Sequence, residues 1–290
     1  MTLKIGSLVT ITDQKGRSHT VSLEVGKQFF TNHGSINHDE ILKSGEGGVV
    51  ASSSGMLYTI FSPGLQDFVV GMPRGAAVIY PKDAAQIVEL GDMQQGSRVL
   101  EAGVGSGSLT LHILRTIGEN GFLTSCEIRE EFLKVANKNV ERYLGYIPKN
   151  WDLRLTDFSE FKSEEIFDCI VLDLLNPWDM IENVYKHLRP GGHFVSYLAT
   201  TTQMSRLVEA LKETSNWTDA IASETLYREW HLQGLSVRPK HRMNGHTGFL
   251  VHSRRMADGV AVPARRQKPA KGAYGADYLA KQSEEADTDI

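Results

Sequence analysis

The chain has 290 residues, 41% of them hydrophobic and 23% charged, a balance typical of a soluble globular protein of one or two domains. No apolar run approaches the roughly 20 residues of a membrane-spanning helix, so we expect no membrane segment. The net charge of −4 argues against a surface that is basic throughout. Binding of nucleic acid would therefore require basic residues gathered on one face.

Residues 1–75 are predicted to form a small β-rich domain. Short alternating apolar runs are separated by glycine-containing turns at residues 14–16 and 44–48. The runs cover residues 7–11, 18–25, 48–52 and 57–60. This spacing is typical of a small, partly open barrel.

From residue 76 to residue 254, predicted strands and helices alternate, which indicates an α/β domain with a doubly wound parallel sheet. The predicted strands cover residues 98–102, 122–127, 153–156, 167–173, 193–198, 224–237 and 247–253. The predicted helices cover residues 82–90, 109–117, 130–142, 178–188 and 203–214. No helix separates the last two strands, so we expect them to pair antiparallel at one edge of the sheet.

Residues 255–290 contain few large apolar residues, and their basic residues are followed by an acidic end. This composition predicts a disordered tail. Cys126 and Cys169 lie inside apolar strand-like runs, so we expect buried thiols rather than a disulfide or metal ligands. Residues 1–6 lack the apolar region of a signal peptide, and we therefore expect a cytoplasmic protein.

The most informative stretch is residues 101–108, where a predicted strand ends in an acid and three alternating glycines before a helix begins. Glycines permit a sharp turn and let a ligand approach the backbone. The spacing lacks the sixth-position glycine of a dinucleotide site and the Gly-Lys-Ser/Thr of a P-loop. Glu101 would repel a pyrophosphate but suits a ligand with an ammonium group, so the loop favours S-adenosylmethionine.

Acids also follow the next two predicted strands. Glu127 lies 24 residues after Gly103, where a carboxylate can accept both hydroxyls of a ribose. Asp157, beside the aromatic Phe158, can accept an adenine amino group. Arg129 leaves an NADP-type cofactor as an alternative. Because open α/β sheets bind ligands at the carboxyl ends of their strands, we expect these acids to share one site.

The fourth strand of the α/β domain ends in Asp173-Leu174-Leu175-Asn176-Pro177-Trp178. An acid followed by Asn-Pro-aromatic resembles the Asp/Asn-Pro-Pro-aromatic motif of methyltransferases that act on amino-bearing bases. This motif favours a nucleic-acid base as the methyl acceptor.

Taken together, these motifs resemble those of the bacterial tRNA (adenine-N1)-methyltransferases that modify adenosine 58 in the T-loop. The resemblance is carried by residues 101–110, 79–83, 173–178, 26–29, 38–39 and 238–250. The last of these includes Gly245-His246-Thr247-Gly248-Phe249-Leu250, the segment most specific to the family. The similarity covers about residues 5 to 255.

The resemblance implies a Rossmann-like class I methyltransferase fold, with a seven-stranded, mostly parallel sheet in residues 76–254. The β-rich residues 1–75 would serve tRNA binding or oligomerisation in a homotetramer. S-adenosylmethionine would be the methyl donor, and N1 of adenine 58 in the tRNA T-arm the acceptor. Asp173 would orient and polarise the target adenine through its N6 amine, and Tyr80 would lie against the base as the second catalytic residue.

The predicted cofactor-binding residues are Glu101, Ala102, Gly103, Gly105, Ser106, Gly107, Ser108, Leu109, Glu127, Ile128, Asp157, Phe158 and Asp173. The predicted RNA-contacting residues are Tyr80, Trp178, Arg238, Arg242 and His246. The histidines and cysteines show no metal-ligand spacing, so we expect no metal site.

Three alternatives remain open at this point. The first is a class I methyltransferase of another RNA, a small molecule or a protein. The second is a non-catalytic RNA-binding subunit, although such a subunit would be expected to have lost the glycine loop or Asp173. The third, an NAD-dependent dehydrogenase, is disfavoured by the glycine spacing and by Glu101.

Overall fold

A computed structural model of the chain describes residues 3–75 and 77–263. Its first part is rich in short strands, as predicted. The elements are β1 (Leu8–Asp13), β2 (Ser18–Ser22), β3 (Gln28–Thr31), β4 (Gly34–Asn37), α1 (His38–Ser44), β5 (Val49–Ala51), β6 (Leu57–Phe61) and α2 (Leu65–Gly71). The order β2-β1-β6-β5 forms an antiparallel sheet, and β3 and β4 form a separate hairpin.

Alternation along the strands builds a separate small core in this N-terminal part. Val9 and Ile11 of β1 and Ile60 of β6 point to the same side and are fully buried, together with Ile36 and Ile41. The sequence analysis found the four strands of the sheet but not the β3–β4 hairpin, α1 or α2.

The second part alternates strands and helices. Its elements are α3 (Pro81–Leu90), β7 (Arg98–Ala102), α4 (Ser108–Ile117), β8 (Phe122–Glu127), α5 (Glu130–Leu144), β9 (Trp151–Leu155), β10 (Phe167–Leu172), α6 (Ile181–His187), β11 (Leu188–Leu198), α7 (Thr201–Glu213), β12 (Ile221–Ser223), β13 (Trp230–Gln233), β14 (Ser236–Pro239) and β15 (Phe249–Arg254). Short 3-10 helices cover Phe158–Glu160 and Pro177–Met180.

Seven of these strands form one sheet in the order β12-β15-β11-β10-β7-β8-β9. The strands β11, β10, β7, β8 and β9 are parallel, and β15 runs antiparallel to β11. The central strand β10 is apolar because both faces are covered, and Cys169 to Leu172 are fully buried. The strand order reverses between β7 and β10, which is where sheets of this class bind their ligands.

The last part of the domain differs from the prediction. The predicted strand at residues 224–237 is wrong, because the strand that pairs with β15 is the shorter β12. Residues 224–247 instead leave the sheet as an arm, which contains the antiparallel hairpin β13–β14. An alternating apolar pattern indicates a strand but cannot tell whether its partner is the main sheet or its own neighbour.

Cys126 and Cys169 are buried free thiols, which confirms that prediction. Burial raises the pKa of Cys126 to about 12. Within residues 3–75 and 77–263, no helix is long and apolar enough to cross a membrane. Residues 255–263 follow the sheet closely: Arg255 is buried, and the Met256 amide donates to the Asn216 carbonyl oxygen at 2.8 Å. The rest of the predicted tail lies outside the described residues.

Candidate active site

The glycine loop between β7 and α4 lies at the point where the strand order reverses. Gly103 has φ +90°, and an added Cβ would lie 2.1 Å from the carbonyl oxygen of Asp173 after β10. Gly107 has φ +81° and packs against Ala136 of α5. Gly105 has φ +55°, but no atom of the described residues lies within 4 Å of the position that a Cβ would take. Two of the three glycines therefore allow close packing, and Gly105 leaves open space for a ligand.

Contacts from neighbouring segments fix this loop. The Asn139 side-chain amide donates to the carbonyl oxygens of Ser106, at 2.9 Å, and Pro73, at 2.8 Å. The Ser108 hydroxyl donates to the Ile79 carbonyl oxygen at 2.8 Å. Ala102 and Leu109 are buried on either side of the loop. The contacts with Asn139 and Ile79 therefore hold the loop in a fixed conformation.

Glu101, the last acid before the loop, is fully buried. Its Oε2 accepts hydrogen bonds from Thr110 at 2.8 Å and Ser125 at 2.9 Å, whereas its buried Oε1 has no partner among the described residues. Burial, and to a smaller degree the charges of Asp173 and Glu127, raise its pKa to about 7. The buried hydroxyl of Ser106 also lacks a described partner.

Glu127 ends β8 beside the same loop and is buried. Its carboxylate accepts from the Gly105 amide at 3.1 Å and from the Arg129 amide at 3.0 Å. The next residue, Ile128, is 62% exposed. Glu127 therefore orients the loop backbone, and Ile128 offers an apolar surface next to it.

Asp173 follows β10 directly, on the other side of the switch point. Its amide donates to the Ala102 carbonyl oxygen at 2.9 Å, which ties it to β7. No described residue donates a hydrogen bond to its carboxylate. Burial, and next the charge of Glu127, raise the pKa of Asp173 to about 7, although Arg129 opposes this shift. Three carboxylates thus converge at one edge, where the Arg129 Nε lies 3.4 Å from Oε1 of Glu127. One arginine against three carboxyls leaves an excess of negative charge, which suits a cationic ligand.

Asp157 and Phe158 lie at the end of β9, on the same edge of the sheet. The exposed Asp157 side chain accepts from the Ser159 amide at 2.8 Å and caps a 3-10 helix. Phe158 is buried, with its ring 5.9 Å from that of Phe161. The structure therefore places Phe158 in the hydrophobic core cluster that also contains Ala102 and Cys126.

A cavity of about 490 Å³ opens beside the start of α3. Its lining consists of Gln66, Val70, Tyr80, Pro81, Lys82, Ala85, Tyr227, Glu229, Arg242, Met243, Asn244 and Thr247. Tyr80 precedes the first helical residue, Pro81, and its carbonyl oxygen accepts the amides of Asp83 and Ala84. The cavity is thus enclosed by α2, α3 and the arm.

The other predicted RNA-contacting residues lie at separate places. Arg242 lines the cavity, whereas Arg238 is exposed on β14. His246 lies at the base of the arm, and its Nδ1 is 2.6 Å from Oε1 of Glu224, which raises the pKa of His246. Trp178 lies on the other side of β11, with the Arg206 guanidinium 4.0 Å from its ring centre.

Several residues of the site were missed by the sequence analysis. Tyr227, Glu229 and Asn244 line the cavity, and Asn139 fixes the glycine loop. Lys82 and Thr247 were recognised as motif residues without a role, yet they hydrogen-bond to each other at 2.6 Å. In the sequence, the only signal for Lys82 and Thr247 was that they belong to two family motifs and had no assigned role. Among the described residues, no group of three or more histidines, cysteines or acids could hold a metal ion.

Comparison with known proteins agrees with this geometry. The family model described as the tRNA methyltransferase complex GCD14 subunit matches residues 58–238, and the model of the TrmI-like N-terminal domain matches residues 2–50. The chain belongs to this tRNA methyltransferase family. The resemblance seen in the sequence is thereby confirmed.

Proteins with similar sequences include tRNA methyltransferases. The tRNA (adenine(58)-N(1))-methyltransferase TrmI of Thermus thermophilus is 36% identical over 246 residues, which cover 84% of this chain and 95% of that protein. The tRNA (adenine(57)-N(1)/adenine(58)-N(1))-methyltransferase TrmI of Methanocaldococcus jannaschii is 32% identical, over 84% and 93% of the two chains.

Solved structures confirm the predicted fold class. A SAM-dependent O-methyltransferase of Thermotoga maritima superposes with a TM-score of 0.84 at 30% identity, covering 92% of this chain and 97% of that one. TrmI of Aquifex aeolicus, a tRNA (m1A58) methyltransferase, superposes with a TM-score of 0.78 at 26% identity, over 89% and 100%. The α/β fold with a β-rich N-terminal part is therefore that of class I methyltransferases.

Proposed function

We propose that this protein transfers a methyl group from S-adenosylmethionine to N1 of adenosine 58 in the T-arm of tRNA, giving 1-methyladenosine. The observation that carries the proposal is the convergence of Glu101, Glu127 and Asp173 around the glycine loop, next to a cavity that contains Tyr80. The family membership supports the same reaction.

The residues of the switch point fit S-adenosylmethionine. This ligand carries an ammonium and a sulfonium group. The raised pKa values of Glu101 and Asp173, and the buried Oε1 of Glu101 that has no partner among the described residues, favour a cationic ligand. The space beside Gly105 leaves the loop backbone accessible. Glu101, Glu127 and residues 102–109 would hold the donor, with Ile128, Asp157 and Phe158 at the side of its adenosine. S-adenosylmethionine supplies an electrophilic methyl group.

Asp173 polarises the acceptor base. Its carboxylate accepts a hydrogen bond from the N6 amine of the target adenine, which raises the electron density at N1. The N1 lone pair forms the new N–C bond as the methyl–sulfur bond breaks, so positive charge moves onto the adenine ring. A carboxylate in a desolvated site stabilises that charge strongly. Because no described residue donates a hydrogen bond to the Asp173 carboxylate, it is available for this role.

Tyr80 and the cavity of about 490 Å³ receive the target adenine. Extruding a base costs stacking energy, and stacking on an aromatic side chain offsets roughly 1–3 kcal/mol of that cost. Correct alignment of N1 with the methyl group accounts for much of the acceleration, because good positioning can contribute roughly 7–11 kcal/mol.

The arm provides basic residues for the RNA backbone. Between residues 224 and 247 there are four lysines and arginines, namely Arg228, Arg238, Lys240 and Arg242, against Glu224 and Glu229. In a chain with a net charge of −4, this local excess supports phosphate contacts there. Trp178 and His246 are additional candidates for contact with RNA.

We further propose that the protein is a cytoplasmic homotetramer whose residues 1–75 contribute to tRNA binding or oligomerisation. Leu232, Leu235 and Val237 on the arm are 73%, 104% and 58% exposed, an apolar surface that a second subunit would cover. Light scattering of the purified protein measures the mass directly. A monomeric species at micromolar concentration would contradict the tetramer.

The decisive experiment uses unmodified tRNA and tritium-labelled S-adenosylmethionine, followed by nuclease digestion and mass spectrometry. We expect 1-methyladenosine at position 58, and no label in tRNA that carries guanosine there. If tRNA remained unlabelled and the label were transferred only to a small molecule or a protein, the protein would be a class I methyltransferase with a different substrate. S-adenosylmethionine binding without any transfer would indicate a non-catalytic subunit.

A further inference from the structure

We propose that Lys82 is a positioning residue that fastens the base of the arm to α3 and so sets the width of the cavity for the target adenine. This inference rests on the proposed function, in which that cavity receives the base. It assigns a role to Lys82 and Thr247, which belong to two different sequence motifs and lie 165 residues apart.

The Lys82 ammonium group makes three short hydrogen bonds. Its Nζ donates to Oδ1 of Asp83, to the carbonyl oxygen of Thr225 and to Oγ1 of Thr247, each at 2.6 Å. Thr225 lies where the arm leaves the sheet, and Thr247 lies where it returns. A single side chain thus joins both ends of the arm to the first turn of α3.

The network closes on itself. The Thr247 hydroxyl accepts from Lys82 and donates to Oδ2 of Asp83 at 2.6 Å. The side chains of Lys82 and Asp83 are only 13% and 1% exposed. A charged pair with so little water around it is costly unless every hydrogen bond is made, and here the geometry satisfies that condition. Removing one partner therefore leaves a buried charge unpaired.

The network is unsuited to binding phosphate. An ammonium group has three donors, and all three of Lys82 are occupied by protein acceptors. Binding a phosphate would require breaking one of these bonds. Lys82 therefore acts on RNA only through the residues that it holds in place.

Those residues surround the cavity on two sides. Tyr80 immediately precedes the helix that carries Lys82 and Asp83, whereas Tyr227 and Arg242 lie on the arm, just before β13 and just after β14. The Tyr197 hydroxyl donates to the Thr247 carbonyl oxygen at 2.6 Å, which adds a tie from β11. If the base of the arm loosens, Tyr227 and Arg242 move away from Tyr80, and the cavity widens.

The test compares Lys82→Met with Lys186→Met, a lysine variant on α6 whose side chain is 61% exposed and pairs with Glu182. We expect Lys82→Met to raise the KM for tRNA about tenfold to a hundredfold, the range for losing hydrogen bonds to a charged group. The affinity for S-adenosylmethionine should stay within about twofold, because the glycine loop is a separate structure. In the absence of RNA, amide hydrogen exchange of residues 225–247 should be faster in Lys82→Met than in the wild type. Lys186→Met should change none of these quantities.

A second pair of variants keeps the proposal testable if Lys82→Met does not fold. Thr247→Val removes the hydroxyl at nearly constant volume and should reproduce the rise in KM and the faster exchange. Thr247→Ser retains the hydroxyl and should restore most of the affinity that Thr247→Val loses. Unchanged exchange and KM in Thr247→Val would overturn the proposal, as would equal effects of the two threonine variants.

The two proposals fail separately. Wild-type protein that does not methylate adenosine 58 would overturn the proposed function, whereas hydrogen exchange in the RNA-free protein still measures whether Lys82 fastens the arm. Normal methylation by wild type, combined with slow exchange of the arm in Lys82→Met, would overturn the positioning role alone.

Discussion

The carboxyl edge of the sheet and the arm are built in opposite ways. At the edge, Glu101 and Glu127 are buried, and their remaining freedom is removed by hydrogen bonds to the loop and to neighbouring strands. On the arm, Leu232 and Leu235 are largely exposed, and β13 and β14 pair only with each other among the described strands. The edge is thus held by hydrogen bonds within the chain, whereas the arm presents an exposed apolar surface, which under our proposal a second subunit covers. We therefore expect changes at the edge to affect the chemical step and changes on the arm to affect binding.

The largest effect is expected for Asp173→Asn, which removes the charge and keeps the shape. The variant should lose about 10²–10⁴-fold in kcat, the range for a positioned group that assists proton or charge movement. Calorimetry should still detect binding of S-adenosylmethionine. Turnover equal to that of wild type would contradict the role of Asp173 and would weaken the contrast between edge and arm.

Two glycine variants separate packing from ligand access at the edge. Gly103→Ala brings a Cβ within 2.1 Å of the Asp173 carbonyl oxygen, at a residue with φ +90°. The free energy of unfolding, measured by thermal denaturation, should therefore fall by well over the roughly 1–3 kcal/mol that such a backbone conformation costs alone. Gly105→Ala meets no neighbour and should cost only about 1–2 kcal/mol. Both should weaken binding of S-adenosylmethionine. Strong binding by Gly105→Ala would place the ligand elsewhere.

The pKa values of Glu101 and Asp173, both raised to about 7, predict a pH dependence of binding at the edge. A carboxyl with a raised pKa in the folded protein stabilises the fold below its unfolded pKa of about 4, and this contribution is lost as the pH rises through about 7. Binding of the cationic S-adenosylmethionine favours the ionised forms of the Glu101 and Asp173 carboxyls. The affinity for S-adenosylmethionine should therefore increase roughly tenfold from pH 6 to pH 8.

Calorimetry across this pH range measures the effect, and Glu101→Gln serves as its control. The amide oxygen can still accept the hydrogen bonds from Thr110 and Ser125, but it does not titrate. The pH dependence should be smaller in this variant. An identical slope in variant and wild type would show that Glu101 does not contribute.

The smallest effect is expected on the arm. Arg238→Gln and Arg242→Gln should each weaken tRNA binding a few-fold and reduce the slope of log affinity against log salt by about one, with little change in kcat. Binding titrations at several salt concentrations measure both quantities. A fall in kcat equal to that of Asp173→Asn would mean that the arm takes part in the chemical step.

The same contrast explains what the sequence could predict. The edge was predictable as a ligand site because its loop needs glycines at fixed positions and its acids end successive parallel strands, which is a local pattern. The arm was misassigned as a sheet strand at residues 224–237, because alternation does not reveal the pairing partner. The Lys82–Thr247 contact joins residues that are distant in the chain, and only the fold brings them together.

The two buried thiols have a practical consequence. Because the pKa of Cys126 is raised to about 12 and Cys169 is equally enclosed, neither forms an appreciable amount of thiolate near neutral pH. Maleimide dyes should therefore leave the native protein unmodified. A cysteine introduced at Leu235 on the tip of the hairpin would then accept a single fluorophore, which would report when that tip meets a nucleic acid or a neighbouring subunit.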